Sequence, residues 1–138
     1  YTNTFGEWSG KAAGGSSGKE CLQINVKDNS AFGSFVQIPA VDGTIEKIEV
    51  TIREPYKGRA IGIFPVGYTY TKDTLDKMKE QLAKDAIAIS NETPSDVNNH
   101  EPFTFVIDNL SAKNLTQFSI FPTLGAVSIT AITVTYSK

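Results

Sequence analysis

Apolar and polar side chains alternate residue by residue along much of this 138-residue chain. The pattern is clearest in residues 19–26 and 47–53. In the second run Ile48, Val50 and Ile52 share one face, and charged or polar residues separate them. Because successive side chains of a β-strand point to opposite sides of the sheet, this alternation predicts antiparallel strands with one buried and one solvated face.

Weaker runs of the same kind extend the prediction to the rest of the chain. They are residues 4–8, 35–38, 59–64, 86–90, 103–107, 117–121 and 127–136. Turn-forming pairs such as Asp42-Gly43 and Lys57-Gly58 separate the runs. About nine strands in a chain that is 40% hydrophobic predict one all-β domain with a single core, an antiparallel sandwich or barrel.

One segment departs from the alternation. In residues 73–84 the apolar residues Leu75, Met78 and Leu82 recur at i, i+3 and i+7, which predicts a short surface helix. Asp73 is the expected N-cap, with Asp76 at N3, where a negative charge suits the positive end of the helix dipole. We expect this helix to be inserted between two strands and to cover an open end of the sandwich.

Charge and composition exclude several classes of function. The formal net charge of -2 argues against nucleic-acid binding, which needs a basic surface. A single cysteine, Cys21, excludes an internal disulfide and a cysteine-rich zinc site, and a single histidine, His100, excludes sites with several imidazoles. Residues 114–137 carry no charge, but Pro122, Gly125 and their polar alternation indicate strands rather than a membrane span.

Three stretches in succession carry a family resemblance. A glycine-rich loop at residues 14–18 precedes residues 19–26, the sequence GSFVQIP at 33–39 runs into 45–53, and ITAITVTY closes the chain at 129–136. In this order they resemble the galactose-binding-like jelly-roll modules of secreted and cell-surface polysaccharide-degrading proteins of gut bacteria. The resemblance implies two antiparallel sheets in a jelly roll, no catalysis, an extracellular or cell-surface location, and recognition of a polysaccharide or oligosaccharide.

The same resemblance bears on domain organisation and cofactors. It implies that residues 1–138 form one β-sandwich module of a larger secreted protein, with a covalently linked or associated catalytic domain. In such modules the closing strand often begins with an acidic pair that can help hold structural calcium, whereas this chain has Thr130 and Ala131 there. We therefore do not expect calcium, or any other cofactor. Cys21 would be a small buried hydrophobe on a core strand.

No catalytic motif accompanies these strands. The sequence lacks Gly-x-Ser-x-Gly, a Walker loop and His-Glu-x-x-His, and a Ser-His-Asp triad could use only His100. Glu46 and Glu49 are expected to be solvated strand charges rather than a glycosidase pair. The expected function is a non-catalytic carbohydrate-binding module that tethers an enzyme or a cell-surface complex to a polysaccharide. The alternative is a structural or adhesive sandwich domain that contacts proteins and has no exposed aromatic platform.

A sugar site needs an aromatic ring to stack on the sugar and planar polar groups to bind its hydroxyls. If successive strands alternate in direction, residues 27–33, 54–58, 91–101 and 122–126 meet at one end of the sandwich. The predicted ligand-binding residues at this end are Tyr56, Arg59, Asn98, Asn99 and His100, with Asn29, Phe32 and Lys57 nearby. The turn at 54–58 should hold the Tyr56 ring in solvent, although a tyrosine folded back on the rim fits the same sequence.

The opposite end provides an alternative site. It would collect the glycine-rich loop, residues 40–43, the helical insertion and residues 108–115, and it offers Trp8, Tyr68 and Tyr70. Tyr68 and Tyr70 are one strand period apart and therefore face the same way. They are either a stacking pair for a sugar or an aromatic cover under the helix, and Trp8 either closes the core or serves as a platform.

Overall fold

Strands account for most of the regular structure in the computed structural model, which describes residues 1–6, 22–26 and 35–138. Glycine-rich residues 14–18, Trp8, Cys21, Asn29 and Phe32 lie outside these ranges, so the predictions made for them remain predictions. The elements are, in chain order, β1 (Thr2–Gly6), β2 (Leu22–Ile24), β3 (Val36–Gln37), β4 (Thr44–Arg53), β5 (Ile61–Phe64), α1 (Leu75–Asp85), β6 (Ala88–Ile89), β7 (Phe103–Ile107), a 3-10 turn (Ser111–Lys113), β8 (Ser119–Pro122) and β9 (Val127–Ser137).

The strands form two sheets in which every pairing is antiparallel. The larger sheet has the order β1, β9, β4, β7, and β2 also pairs with β9. The smaller sheet has the order β3, β8, β5, β6. The prediction of an all-β antiparallel sandwich with one short helix is therefore confirmed, and its jelly-roll connectivity stays a prediction.

Strands β1 and β2 follow one another along the same edge of β9. Gly6 at the end of β1 pairs with Ala131, and Leu22 at the start of β2 pairs with Ile129. Gly6 and Leu22 thus pair with β9 residues that are two positions apart.

The alternation in β4 produces the core between the two sheets. Ile48, Val50 and Ile52 are fully buried, while the residues between them are partly exposed. They pack with apolar residues of the facing sheet such as Ile61 and Ile120 in one continuous cluster. This burial removes apolar surface from water and is the main stabilising contribution to the sandwich.

The helix lies in a different place from the one predicted. Met78 and Leu82 of α1 are fully buried in a second apolar cluster with Phe64 of β5 and Phe121 of β8. Both strands are buried on both faces, so their outward-pointing phenylalanines need a cover that the first sheet cannot supply. The helix therefore packs on the outer face of the smaller sheet and does not close an end of the sandwich.

The predicted cap of this helix is also wrong by one residue. Thr74 has extended backbone angles, and its hydroxyl accepts a hydrogen bond from the Lys77 amide at 3.4 Å, which makes it the N-cap. Asp73 thus precedes the cap, and Asp76 occupies N2 in the first turn, where its charge still suits the helix dipole. Leu75, the first residue of the predicted apolar stripe, is exposed.

Candidate functional site

The loops predicted to meet at one end of the sandwich do so in the described residues. Strand β4 ends at Arg53 where β9 begins at Val127 and β7 at Phe103, since all three pair in antiparallel register. In the smaller sheet β5 begins opposite the end of β8. The connections that follow β4, β6 and β8 consequently lie side by side.

Thr93 joins two of these connections. Its side chain is 3% exposed, and its hydroxyl donates a hydrogen bond to the Tyr56 carbonyl at 2.6 Å and accepts one from the Arg59 amide at 2.9 Å. The Thr93 amide donates in turn to the Arg59 carbonyl at 2.8 Å, and the Gly58 amide donates to the Thr93 carbonyl at 3.3 Å. These bonds fix the backbone of the 54–58 turn against the loop at 91–101.

The turn presents Tyr56 to solvent. Glu54 and Gly58 both have positive φ angles, 47° and 68°, which reverse the chain within a few residues. Pro55 between them is buried, and its carbonyl accepts a hydrogen bond from Asn99 Nδ2 at 3.2 Å. The Tyr56 side chain is 62% exposed, so the prediction that this turn holds the ring in solvent is confirmed.

Arg59 lies beside this ring in a fixed position. Its Cζ atom is 5.8 Å from the centroid of Tyr56, within the range of a cation–π contact. Its Nε donates to the Ala126 carbonyl at 3.0 Å. A Cβ atom at Gly125 would lie 2.9 Å from Arg59 Cζ and Nε, so the guanidinium packs directly on the glycine backbone. One side of the guanidinium is thus occupied by the Gly125 backbone.

Two other predicted residues lie in the same loop but are held differently. Asn98 Oδ1 accepts a hydrogen bond from the His100 amide at 2.9 Å, which stabilises a local turn, and both side chains are exposed. Within the described residues no hydrogen bond links either of them to Tyr56 or Arg59. The structure therefore joins Tyr56, Arg59 and Asn99, and leaves Asn98 and His100 on the adjoining rim.

The two tyrosines of the alternative site, Tyr68 and Tyr70, belong to the cluster beneath the helix on the outer face of the smaller sheet. Tyr70 is only 4% exposed, and its ring meets Phe121 edge-on at 6.0 Å. Tyr68 packs on Phe64 at 4.6 Å and donates its hydroxyl to Asp85 at 2.9 Å. Burial, and then the bond to the Asp85 carboxylate, raise the pKa of the Tyr68 phenol. This packing favours the aromatic-cover interpretation over a stacking pair.

Sequence reasoning did not single out Thr93, Gly125 or Tyr1. Thr93 and Gly125 act through groups more than thirty residues away, and neither belongs to a recognisable motif. Tyr1 is 70% exposed at the end opposite Tyr56, where it stacks on Tyr136 at 5.7 Å and Lys138 Nζ lies 4.6 Å from its ring.

Other kinds of site are not indicated by the part of the chain that the structure describes. There, no three His, Cys, Asp or Glu side chains come together in a group that could hold a metal ion. No helix in the same ranges has both the length and the apolar character needed to cross a membrane. In the turn that carries Tyr56, the Glu54 carboxylate forms an ion pair with Arg53 at 3.0 Å. At the Tyr56 end, the described residues form an ordered polar surface around the exposed Tyr56 ring.

Comparison of the chain with protein-family models, with curated proteins and with solved structures found no match. Any functional conclusion therefore depends on the chemistry of this end of the sandwich. Its components are an exposed ring on an ordered turn, a guanidinium beside the ring, and an amide that supports the turn. Such a surface suits a ligand with alternating apolar and hydroxyl-bearing faces.

Proposed function

We propose that this protein is a non-catalytic carbohydrate-binding module whose ligand stacks on Tyr56. The observation that carries the proposal is the exposed tyrosine ring, 62% accessible, on a turn whose backbone is tied down by the Thr93 hydroxyl. A sugar site needs an aromatic ring that stacks on the CH face of the sugar and polar groups that bind its hydroxyls, and this end of the sandwich offers both. A purely structural or adhesive domain would not require this platform.

The order of the turn favours binding. A turn whose backbone is already fixed loses little conformational freedom when a ligand stacks on its ring, so more of the contact energy appears as affinity. Stacking contributes about 0.5–1.5 kcal/mol beyond area burial, and each hydrogen bond to a sugar hydroxyl contributes about 1 kcal/mol net. The Arg59 guanidinium has donors to spare for such hydroxyls, because only its Nε is bonded to a described residue.

Weak individual contacts of this kind serve a tethering role. A module that binds a polysaccharide raises the effective concentration of an enzyme linked to or associated with it, even when each contact is weak. We therefore propose that the module functions outside the cell or at the cell surface and keeps a catalytic partner near an insoluble or surface polysaccharide. The module itself contributes binding and no catalytic step.

The test is a comparison of two exposed tyrosines at opposite ends of the sandwich. Wild type, Tyr56→Ala and Tyr1→Ala are applied to a glycan array and to insoluble polysaccharides, and retention and melting temperature are measured. Tyr56→Ala should weaken retention about tenfold or more, which corresponds to about 1.4 kcal/mol. Its melting temperature should change little, since an exposed turn side chain supports little of the core. Tyr1→Ala is the matched control and should bind as wild type does.

Other results would contradict the proposal in different ways. If Tyr56→Ala binds normally and Tyr1→Ala abolishes binding in a folded protein, the site lies at the opposite end. If Trp8→Ala abolishes binding instead, the site depends on Trp8 and not on Tyr56. If the folded wild type is retained by no glycan on the array and no polysaccharide, the module is not a carbohydrate binder, and the adhesive alternative replaces it. Tyr56→Trp, which keeps an aromatic surface, should restore most of the retention lost in Tyr56→Ala.

A further inference from the structure

An open groove with a volume of about 330 Å³ lies between α1 and the edge strand β6. Apolar side chains form part of its lining, and polar and charged groups form the rest. The apolar lining includes Ala83, Ile89 and Leu124, and the polar lining includes Lys79, Asn91 and Glu92. Ile89 is 43% exposed and leaves apolar surface accessible in the groove.

The groove adjoins the Tyr56 platform through two chain segments. Glu92 lines the groove, and the next residue, Thr93, is hydrogen-bonded to the Tyr56 carbonyl. Leu124 lines it too, and the next residue, Gly125, contacts the Arg59 guanidinium. The same two loops therefore support the platform and form one side of the groove.

We propose that the groove binds the sugar units that follow the one stacked on Tyr56, so that the domain recognises an internal stretch of a polysaccharide chain. This inference rests on the proposed carbohydrate-binding function. The volume is at the lower end of the roughly 300–1,000 Å³ typical of small-molecule sites, which suits a short segment of a chain. Aliphatic side chains can meet the CH faces of the sugars, while amide, carboxylate and ammonium groups can meet their hydroxyls.

Filling the groove without unfolding the protein provides the test. Ala83 is an exposed helix residue in the lining, and leucine is nearly as good a helix former as alanine, so Ala83→Leu should narrow the groove and leave the melting temperature close to that of wild type. The matched control is Ala112→Leu, in the exposed 3-10 turn at the opposite end of the sandwich. Affinities are measured for cello-, xylo- and manno-oligosaccharides from the monosaccharide to the hexasaccharide.

In any oligosaccharide series that binds, the affinity of wild type and of Ala112→Leu should rise about fivefold with each added sugar unit that forms one net hydrogen bond, until the groove is filled. Ala83→Leu should bind the shortest members as wild type does but gain little from longer ones. If wild-type affinity does not rise beyond the shortest binding sugar, or if Ala83→Leu keeps the full gain, the groove is not a subsite, while a Tyr56-dependent site still stands. If no oligosaccharide series and no polysaccharide binds, the proposed function fails, and the groove proposal fails with it.

Discussion

A substitution at Thr93 should loosen the turn that carries Tyr56 while leaving the Tyr56 ring in the protein. In Thr93→Val the side chain keeps its branched shape and loses only the hydroxyl. The Tyr56 carbonyl and the Arg59 amide then lack the partner that they have at 2.6 Å and 2.9 Å. The backbone bonds of Thr93 to Arg59 and Gly58 remain, so the loop should stay in place while the turn loosens.

The magnitudes follow from those two lost bonds. An unsatisfied buried polar group costs about 1–3 kcal/mol, and because both groups are only partly buried we expect the low end, about 2 kcal/mol in total. For a chain of this size that corresponds to a decrease in melting temperature of about 6–8 °C. A loosened Tyr56 must be ordered again when a sugar binds, at a cost of about 0.5–1.5 kcal/mol, so affinity should fall about two- to tenfold.

Thr93→Ser is the matched control because it keeps the hydroxyl and deletes one buried methyl group. It should cost about 1 kcal/mol of stability and leave affinity unchanged. Urea unfolding and isothermal titration with an oligosaccharide that wild type binds would measure both effects. The reasoning is refuted if Thr93→Val is as stable as wild type, since the bonds would then contribute nothing. It is equally refuted if Thr93→Val and Thr93→Ser bind equally well, since the order of the turn would then be irrelevant to affinity.

Three further predictions test the surroundings of the site and the cover of the smaller sheet. Gly125→Ala should displace the Arg59 guanidinium, because the added Cβ atom would lie 2.9 Å from its Cζ and Nε atoms, and should lower glycan retention several-fold with little change in melting temperature; unchanged retention would remove Arg59 from the site. Met78→Ala should cost about 2–5 kcal/mol in urea unfolding because the side chain is fully buried, whereas Leu75→Ala should cost less than about 1 kcal/mol; equal costs would contradict the placement of the helix. The raised pKa of Tyr68 means that folding favours its neutral form, so its contribution to stability is present below about pH 10 and is lost at higher pH, where the unfolded phenol ionises before the folded one. Tyr68→Phe should therefore lose stability less steeply than wild type in alkaline titrations, and an identical slope would show that this phenol is not responsible.

The strands could be predicted from the sequence because their pattern is local. A residue in β4 such as Val50 is buried because its neighbours alternate with it, and the period of two assigns each side chain to a face without any knowledge of the partner strand. The meeting of the 54–58 turn with the 91–101 loop followed from the same logic, since antiparallel strands alternate in direction and place their connections at alternate ends.

The details of the site were decided only by tertiary contacts. The Thr93 hydroxyl finds the Tyr56 carbonyl 37 positions earlier in the chain, and the Gly125 backbone leaves room for the Arg59 guanidinium. The same holds for α1, whose sequence predicts an amphipathic helix but cannot say which apolar surface it covers. Helix and strand patterns depend on neighbours a few residues apart, whereas hydrogen bonds and packing between loops depend on distances that exist only once the two sheets have closed on their core.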